Sequence, residues 1–401
     1  MSATDVIKYE ITVDSPEPVK PYLRRLRGSV PGAPAVVLLH GGNTSGDTYL
    51  WPNGGLAGYL ADHRFDVWIL EWRSSPHIVL PLLQRNALGG SVIEECRLMN
   101  LDVAVEQDLV GGLRVVRENI EQADLSVLGH CFGSAAVSLA VARGLLEPFD
   151  VGSIVLSTLG LFVETPWSGW IKAEDFIMER VLHNTPSCRS ISPSTFDDWP
   201  TDMTVSYRRW PKVWLPSGSD DPRLLLERLA FMFGQPYSID RLHESLRGDA
   251  VAQFFGPMHL GMFLHASQIV RRGYVDRFDA PDRLVSAGRA GRSPRQTTAE
   301  SLDPTHFAGK RVTLLAAGDN HLWHRESIDL MYEWLRRNDG GVPDRYKKHV
   351  FPGYNLQELL WGTDAPADVF PTIKAALGRR WLRKRPSQRP AEREVAAVSL
   401  P

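Results

Sequence analysis

Residues 125–138, LSVLGHCFGSAAVS, join an apolar run to a stretch of small side chains. The apolar run predicts a buried strand, and the small-residue stretch predicts a closely packed helix. Gly129 and Gly133 stand two residues before and two residues after Cys131. A sharp strand-to-helix turn needs glycine at both places, because a side chain there would collide where strand and helix nearly touch. The pattern therefore predicts a turn that exposes Cys131.

Cys131 is the predicted nucleophile of this turn. It would lie at a helix N-terminus, where the partial positive charge of unpaired N–H groups favours a thiolate over a thiol. The same five residues, 129–133, also allow a buried and inert cysteine beside two helix-breaking glycines. The remainder of the chain has to decide between these two interpretations.

The composition of the 401-residue chain is that of an ordinary globular protein, with a net charge of −2. This charge gives no support to nucleic acid or a membrane surface as a partner. Residues 1–5 lack a basic start before an apolar core, and no window approaches eighteen apolar residues, so we expect a cytoplasmic protein without membrane insertion. Cys96, Cys131 and Cys188 are widely spaced and form no CxxC pair, which suggests neither a disulfide framework nor a cysteine zinc site.

A glycine-rich loop precedes the elbow at residues 40–46, HGGNTSG, directly after the apolar run 35–39. Backbone N–H groups in such a loop can bind the negative oxygen that forms when a carbonyl is attacked. The N–H group of the residue after the nucleophile is the usual second donor. The sequence therefore predicts an oxyanion hole formed by Gly42 and Phe132.

Predicted strands and helices alternate around the elbow, which favours an α/β fold with a mostly parallel sheet. The alternation stops for about 150 residues, where a segment rich in Trp, Pro and Arg predicts a helical insertion over the C-terminal edge of the sheet. Its aromatic side chains suggest a hydrophobic or bulky substrate, and they equally suit packing of the insertion onto the core. The predicted units are the first half of the core at 1–160, a helical lid at 161–308, the second part of the core at 309–382 and a disordered basic tail at 383–401.

Asp319 directly follows the predicted strand 311–317. An acid after a late strand is where a triad carboxylate belongs, so Asp319 is the candidate catalytic acid. The same residue also suits the N-cap of the helix that follows.

The order of nucleophile elbow, insertion, acid and terminal loop is that of the α/β-hydrolase fold. Residues 66–74, 129–134, 321–335 and 344–373 resemble the lipase-like domain that follows the flavin domain in cholesterol-oxidase-type (GMC) oxidoreductases. The GxCxG elbow is also similar to that of dienelactone hydrolases and polyhydroxyalkanoate synthases, whose nucleophile is a cysteine. The chain has no GxGxxG motif, so we expect neither flavin chemistry nor another cofactor.

The last loop departs from this resemblance at one position. In the lipase-like family it reads approximately Pro-Gly-Tyr-Gly-His-x-Asp, with a glycine four residues later, and the histidine is the catalytic base. Here residues 352–358 read PGYNLQE and are followed by Gly362. The register of both flanks places Leu356 where the family has its histidine.

Four histidines are alternatives for this missing base, and they differ in their positions relative to Cys131. His130 precedes the nucleophile, where an elbow turns the side chain away from the reacting face. His349 lies about 23 Å from position 356, at a rise of roughly 3.3 Å per strand residue. His321 and His324 lie at the correct end of the sheet and are the candidate base or substrate contacts, against ordinary surface histidines at a helix start. Their HxxH spacing lacks a third ligand, so no metal site is predicted.

Two functions remain open. In the first, Cys131 attacks the carbonyl of a hydrophobic or carrier-bound acyl ester or thioester, because a thiol with a pKa of ~8.5 depends less on a base than serine does. Hydrolysis would lack a general base, which is worth ~10²–10⁴-fold, so acyl transfer or cyclisation is favoured over simple hydrolysis. In the second, the fold has lost covalent chemistry and acts as a binding protein, lyase or cyclase. The oligomeric state stays open.

Overall fold

The computed structural model describes residues 6–13, 19–26, 32–120, 123–175, 177–194, 199–209, 221–278, 303–338, 342 and 344–378. Its strands are β1 Val6–Glu10, β2 Tyr22–Leu26, β3 Ala35–Leu39, β4 Asp66–Glu71, β5 Leu125–His130, β6 Val151–Ser157, β7 Ser190–Ile191, β8 Met258–His259, β9 Arg311–Ala317 and β10 Tyr346–Phe351.

The α-helices are α1 Gly55–Asp62, α2 Pro76–Gln84, α3 Val92–Leu98, α4 Leu101–Val103, α5 Val110–Ile120, α6 Phe132–Ala142, α7 Trp167–Glu174, α8 Ile177–Asn184, α9 Thr201–Arg209, α10 Asp221–Met232, α11 Leu260–Arg272, α12 Glu326–Arg337, α13 Glu358–Trp361, α14 Ala365–Asp368 and α15 Phe370–Leu377. A π-helical segment, Ala104–Leu109, joins α4 to α5. Short 3₁₀ helices occupy Gly46–Tyr49, Glu147–Phe149, Ile239–Arg241, Glu244–Leu246, Gly248–Phe254 and Thr305–Phe307.

Eight strands form the central sheet in the order β1-β2-β4-β3-β5-β6-β9-β10. The pairs β1–β2 and β2–β4 are antiparallel, and all the other neighbours in this sheet are parallel. The predicted α/β architecture with a mostly parallel sheet is therefore confirmed. The elbow strand β5 lies between β3 and β6, so the predicted glycine-rich loop and the elbow leave the sheet side by side.

Both faces of the sheet are covered by apolar packing. Val37 belongs to one hydrophobic cluster, whereas its neighbours Val36 and Leu38 belong to another. Successive side chains of a strand point to opposite faces, so the two clusters lie on the two sides of the sheet. This burial explains why β3 reads as a continuous apolar run rather than as an alternating one.

Among the described residues between β6 and β9 are the helices α7 to α11, the antiparallel pair β7–β8 and several 3₁₀ helices. Isolated bridges join this segment to the rest of the chain, at Thr44 with Phe255 and at Gln235 with His321. The boundaries at 160 and 308 and the role of the segment as a lid stay predictions. The predicted basic tail at 383–401 lies outside the described residues. Within the described ranges, no helix combines the length and apolar character needed to cross a membrane.

Candidate active site

The turn between β5 and α6 has the geometry of a nucleophile elbow. Cys131 adopts φ 55° and ψ −124°, a left-handed conformation that costs a non-glycine residue on the order of 1–3 kcal/mol. A Cβ atom on Gly129 would lie 2.6 Å from the Gly133 carbonyl oxygen, and one on Gly133 would lie 2.6 Å from the Leu39 carbonyl oxygen. The two glycines therefore allow strand, elbow and helix to pack at backbone distance.

The glycine-rich loop passes directly against the cysteine. A Cβ atom on Gly41 would lie 3.0 Å from Cβ and 3.4 Å from Sγ of Cys131. Backbone hydrogen bonds from Phe132 and Gly42 reach the Cys131 sulfur. The structure thus brings together the nucleophile candidate and both residues expected to bind an oxyanion, and their role in binding one stays a prediction.

Asn43 joins the glycine-rich loop to the segment between β6 and β9, which we call the inserted segment. Its Nδ2 donates to the carbonyl oxygens of Gly256 at 2.8 Å and Ile191 at 3.3 Å, and the Gly256 N–H donates to the Asn43 carbonyl at 2.9 Å. Asn43 itself has a positive φ of 56°, which asparagine tolerates better than most residues. The position of Gly42 is therefore supported from outside the core.

Trp323 supplies the side chain that reaches the Cys131 sulfur. Its indole Nε1–H donates to Cys131 Sγ at 3.4 Å, and the ring is buried. The Asn320 side-chain oxygen accepts hydrogen bonds from the N–H groups of Leu322 and Trp323, both at 3.0 Å, and so turns both residues inward. Trp323 is not among the residues predicted from the sequence, although the apolar pair Leu322-Trp323 between two histidines is a signal that the sequence contains.

Burial raises the pKa of the Cys131 thiol, while the N–H groups of Trp323, Phe132 and Gly42 act in the opposite direction. The net shift is upward, because the loss of solvent around the charged sulfur outweighs the donors. The predicted effect of the helix N-terminus, which favours the thiolate, is therefore opposed by burial, and the role of Cys131 as nucleophile stays a prediction. The sulfur is surrounded by N–H groups that would stabilise negative charge once it forms.

Asp319, His321 and His324 are all exposed. The Asp319 N–H donates to the Tyr354 carbonyl at 2.9 Å, and His324 Nδ1 lies 3.9 Å from a Glu326 carboxylate oxygen. The hydrogen bonds of the described residues do not connect any of the three side chains to Cys131. The structure therefore does not bring the candidate acid and the candidate bases to the sulfur, and their proposed roles stay predictions.

Among the hydrogen bonds of the described residues, none joins His130 or His349 to Cys131. His130 is fully buried, its Nδ1 lies 3.0 Å from Ser157 Oγ, and burial lowers its pKa to about 3. Ser157 ends β6, and the expected orientation of His130 away from the reacting face stays a prediction. His349 is exposed on β10.

Leu356 is 1% exposed and lines the same cavity as Cys131. The loop around it is fixed by Asn355, whose Oδ1 accepts from the Leu356 N–H at 2.7 Å and whose Nδ2 donates to the Gln235 carbonyl at 3.0 Å. Glu358 accepts from the backbone N–H groups of Asn355 and Ser238 at 2.9 and 2.7 Å. An apolar side chain is thus held at the site where the resemblance implies a base.

The cavity at Cys131 has a volume of about 60 Å³ and a mainly apolar lining. It is lined by Gly42, Cys131, Phe132, Leu229, Phe233, Pro236, Phe255, Met258, Ala266, Leu322, Trp323, Leu356 and Gln357. Across the part of the chain that the structure describes, no group of three or more His, Cys, Asp or Glu side chains is arranged to hold a metal. The arrangement suits an apolar group beside the Cys131 sulfur.

No protein-family model and no curated protein matches this chain. Among solved structures it is similar to a lipase in an open form, with 13% identity over 92% of this chain and 98% of that chain and a TM-score of 0.50. A highly thermostable carboxyl esterase from Bacillus coagulans matches with 10% identity over 93% and 99% and a TM-score of 0.51. An epoxide hydrolase from Vigna radiata matches with 10% identity over 94% and 98% and a TM-score of 0.50. These chains have the α/β-hydrolase fold, and likeness at such low identity establishes the fold of this chain alone.

Proposed function

From the α/β-hydrolase fold that this chain adopts, we propose that it is an acyl-transfer enzyme whose nucleophile is Cys131. The observation that carries the proposal is the convergence of groups on one sulfur. Cys131 projects from a strained elbow into an apolar cavity, and N–H donors from Gly42, Phe132 and Trp323 reach its Sγ. Such donors stabilise negative charge on sulfur before attack and on oxygen during it.

In the first half of the reaction the thiol loses its proton to solvent, and the thiolate attacks the carbonyl carbon of the substrate. A carbon–sulfur bond forms, and the carbonyl electron pair moves to oxygen, where the Gly42 and Phe132 N–H groups hold it. When the carbonyl re-forms, the bond to the leaving group breaks and an acyl thioester remains on Cys131.

The leaving group distinguishes thioesters from oxygen esters. A departing thiolate has a conjugate-acid pKa of ~8.5 and needs no proton donor at neutral pH, whereas an alkoxide does. Trp323 can donate a hydrogen bond but is not an acid or a base, because its indole N–H has donor function only. We therefore place thioesters first among the substrates.

The second half needs an acceptor that is a better nucleophile than water. Leu356 occupies the place of the base, so water at the acyl-enzyme would lack the general-base help that is worth ~10²–10⁴-fold. An amine, thiol, alcohol or carbanion attacks the thioester instead, and the Cys131 sulfur leaves as a thiolate. Transfer or cyclisation is thus the favoured outcome over simple hydrolysis.

A second candidate function is non-covalent: ligand binding, or a lyase or cyclase reaction that uses only the pocket and the oxyanion loop. The upward shift in the pKa of Cys131 favours it, because a protected thiol is a poorer nucleophile at neutral pH. Full turnover by a Cys131→Ala variant would support this candidate over acyl transfer.

The test is exposure of the protein to an activated acyl thioester, such as octanoyl-N-acetylcysteamine, followed by intact mass measurement. We expect one octanoyl adduct that hydroxylamine removes. The adduct should disappear in Cys131→Ala and persist in Cys188→Ala, whose half-buried thiol has its pKa raised to about 11 by burial and serves as the matched control. An unmodified protein, or an adduct that survives in Cys131→Ala, would contradict the proposal.

A further inference from the structure

Gln357 places an amide on the wall of the cavity at Cys131. The residue is 3% exposed, and it directly follows Leu356, which lines the same cavity. The other described side chains of this wall are apolar, except for Cys131 itself and Trp323, whose indole N–H already donates to the sulfur. A largely apolar ligand pocket takes its specificity from a few polar groups of this kind. Gln357 is therefore the polar side chain that a ligand in the cavity meets in addition to the sulfur and the indole.

The backbone of Gln357 is held by hydrogen bonds at both its N–H and its carbonyl group. The N–H donates to the Pro236 carbonyl oxygen at 2.9 Å, and the carbonyl oxygen accepts from the N–H groups of Leu360 at 3.0 Å and Trp361 at 2.8 Å. Pro236 lines the cavity as well, and Gln357 is the N-cap of α13. The side chain therefore projects from a fixed backbone position.

The amide of Gln357 lacks a hydrogen-bond partner in the described part of the chain. Its Oε1 is buried and unpaired, and the same holds for Nε2 of His130. Burial lowers the pKa of His130 to about 3, and the Gln357 side chain acts in the opposite direction. A hydrogen-bond acceptor stabilises the protonated form of an imidazole, so the oxygen end of the amide is the end that lies towards His130. The NH2 end is left for the cavity.

Packing alone does not account for an unpaired amide at this position. Methionine has a similar length and would fill the space without leaving polar atoms unpaired, so the buried amide lowers the stability of the free protein. Buried polar groups without a partner are rare in native structures, and each needs an explanation. A ligand supplies the explanation here, because a hydrogen-bond acceptor in the cavity would pair with the NH2 group of Gln357.

The size of the cavity limits where this acceptor lies on the substrate. The cavity that Cys131 and Gln357 share has a volume of about 60 Å³, so a group at the amide is only a few bonds from a carbonyl carbon at the sulfur. In the proposed reaction the oxygen of that carbonyl is bound by Gly42 and Phe132. The acceptor at Gln357 is then a second oxygen of the same acyl group, and C3 is a position within this reach.

We propose that Gln357 determines specificity for 3-oxoacyl thioesters, whose second carbonyl oxygen accepts a hydrogen bond from its NH2 group. This assignment of substrate rests on the proposed acyl transfer. A ketone oxygen is the fitting partner, because it accepts hydrogen bonds and an NH2 group donates them. A site that hydrogen-bonds one group of its substrate discriminates against an analogue without that group, because the buried donor of the site is then left unpaired.

The first experiment measures binding without chemistry, by calorimetry of Cys131→Ala with 3-oxooctanoyl- and octanoyl-N-acetylcysteamine. The two thioesters have the same chain length and differ in the oxygen on C3. We expect Cys131→Ala to bind the 3-oxo compound tighter by roughly tenfold or more, and addition of Gln357→Met to remove this preference. Addition of Gln84→Met, at the exposed end of α2, is the matched control and should leave the preference unchanged. Equal binding of both compounds by Cys131→Ala, or a preference that survives Gln357→Met, would overturn the proposal.

The second experiment measures acylation of Cys131 by the same two thioesters. The 3-oxo group also changes the intrinsic reactivity of a thioester, so the quantity compared between proteins is the ratio of the two acylation rates. This ratio should be higher in wild-type protein than in Gln357→Met by roughly tenfold or more, whereas the octanoyl rate should be the same in both. Equal ratios would contradict the role of Gln357 alone. Failure of acylation by both thioesters, with the binding preference intact, would contradict the proposed function alone.

Urea unfolding separates a role in specificity from a role in the fold. Gln357→Met should unfold at the same urea concentration as wild-type protein or at a higher one, because the substitution removes an unpaired buried amide. A lower unfolding midpoint would mean that the amide stabilises the fold through His130, and it would contradict the assignment of the NH2 group to a ligand.

Discussion

At the scale of single residues, the Cys131 sulfur is subject to two opposing effects. Burial raises its pKa, and three N–H donors lower it. Of these three donors, the Trp323 indole N–H belongs to a side chain. It can stabilise a thiolate but cannot remove a proton. The rate at which Cys131 reacts should therefore follow the fraction of thiolate at each pH. The Trp323 N–H group should lower the pKa at which this thiolate forms.

Replacement of Trp323 by phenylalanine tests that dependence, because it removes the N–H group and keeps most of the ring. Alkylation of wild-type Cys131 by iodoacetamide should accelerate with pH towards a midpoint above the ordinary thiol value of ~8.5, since the thiolate is the reacting form. In Trp323→Phe the midpoint should rise further, by roughly 0.5–1 pH unit, because a hydrogen bond of about 1 kcal/mol to the charged form is lost.

The measurement is the rate of Cys131 labelling at each pH, followed by peptide mass spectrometry. Trp334→Phe is the matched control, because Trp334 packs against Phe162 and Phe307 and does not line the Cys131 cavity. An unchanged midpoint in Trp323→Phe would show that the indole N–H does not support the thiolate.

Substitution of Leu356 by histidine should add a general base to the cavity. Leu356→His places an imidazole on the wall of the cavity that contains the Cys131 sulfur, and we expect release of the bound acyl group by water to increase by about 10²-fold. The thermal stability should fall, because a polar ring replaces an apolar side chain that is 1% exposed.

Decay of the acylated protein, measured by intact mass over time, reports the effect. Leu356→Met retains apolar volume and should release the acyl group as slowly as the wild-type protein does. Equal decay rates in Leu356→His and Leu356→Met would mean that position 356 does not reach the acyl-enzyme.

At the scale of elements, the elbow depends on close contact between backbones. Gly133→Ala should destabilise the protein by more than ~3 kcal/mol, because its Cβ would lie 2.6 Å from the Leu39 carbonyl oxygen and strand β3 would have to shift. Gly58→Ala in α1 is the control, since its Cβ meets nothing within 4 Å and alanine favours a helix by about 1 kcal/mol over glycine. Urea unfolding of both variants measures the difference; equal stability would mean that the elbow tolerates a side chain.

The elements also show what could be predicted from the sequence. The elbow was predictable because its steric requirement is local and appears as two glycines around Cys131. The parallel sheet was predictable because strands buried on both faces read as apolar runs. The contact between Trp323 and Cys131 joins residues 192 positions apart, so no local pattern contains it. The exposure of His321 and His324 depends on the turn that Asn320 makes, which sequence spacing alone does not reveal.

At the scale of the whole molecule, the site is built from both the core and the inserted segment. The elbow and Gly42 come from the core, whereas Phe233 and Met258 on the cavity wall come from between β6 and β9. In the proposed reaction, the core would supply the reacting groups and the inserted segment would shape the space for the substrate.

Asn43→Gly tests how much the inserted segment supports the oxyanion loop. Glycine accepts the positive φ of this position and removes the two side-chain hydrogen bonds to Gly256 and Ile191. We expect acylation of Cys131 to slow by roughly tenfold, because each lost bond contributes about 1 kcal/mol to holding the loop. Acylation rate and urea unfolding are measured together, with Asn119→Ala on the surface of α5 as the control. An unchanged acylation rate would show that the loop keeps its geometry without these two hydrogen bonds.

The two side-chain hydrogen bonds of Asn43 have a further consequence for how this protein can be re-engineered. Exchange of the inserted segment for one from another protein of the same fold is one route to a new substrate range. Here the exchange would also remove the carbonyl acceptors that Asn43 uses, at Gly256 and Ile191. A chimera would therefore inherit the substrate preference of the donor and lose part of the host's own chemistry, unless both acceptors were transplanted with it.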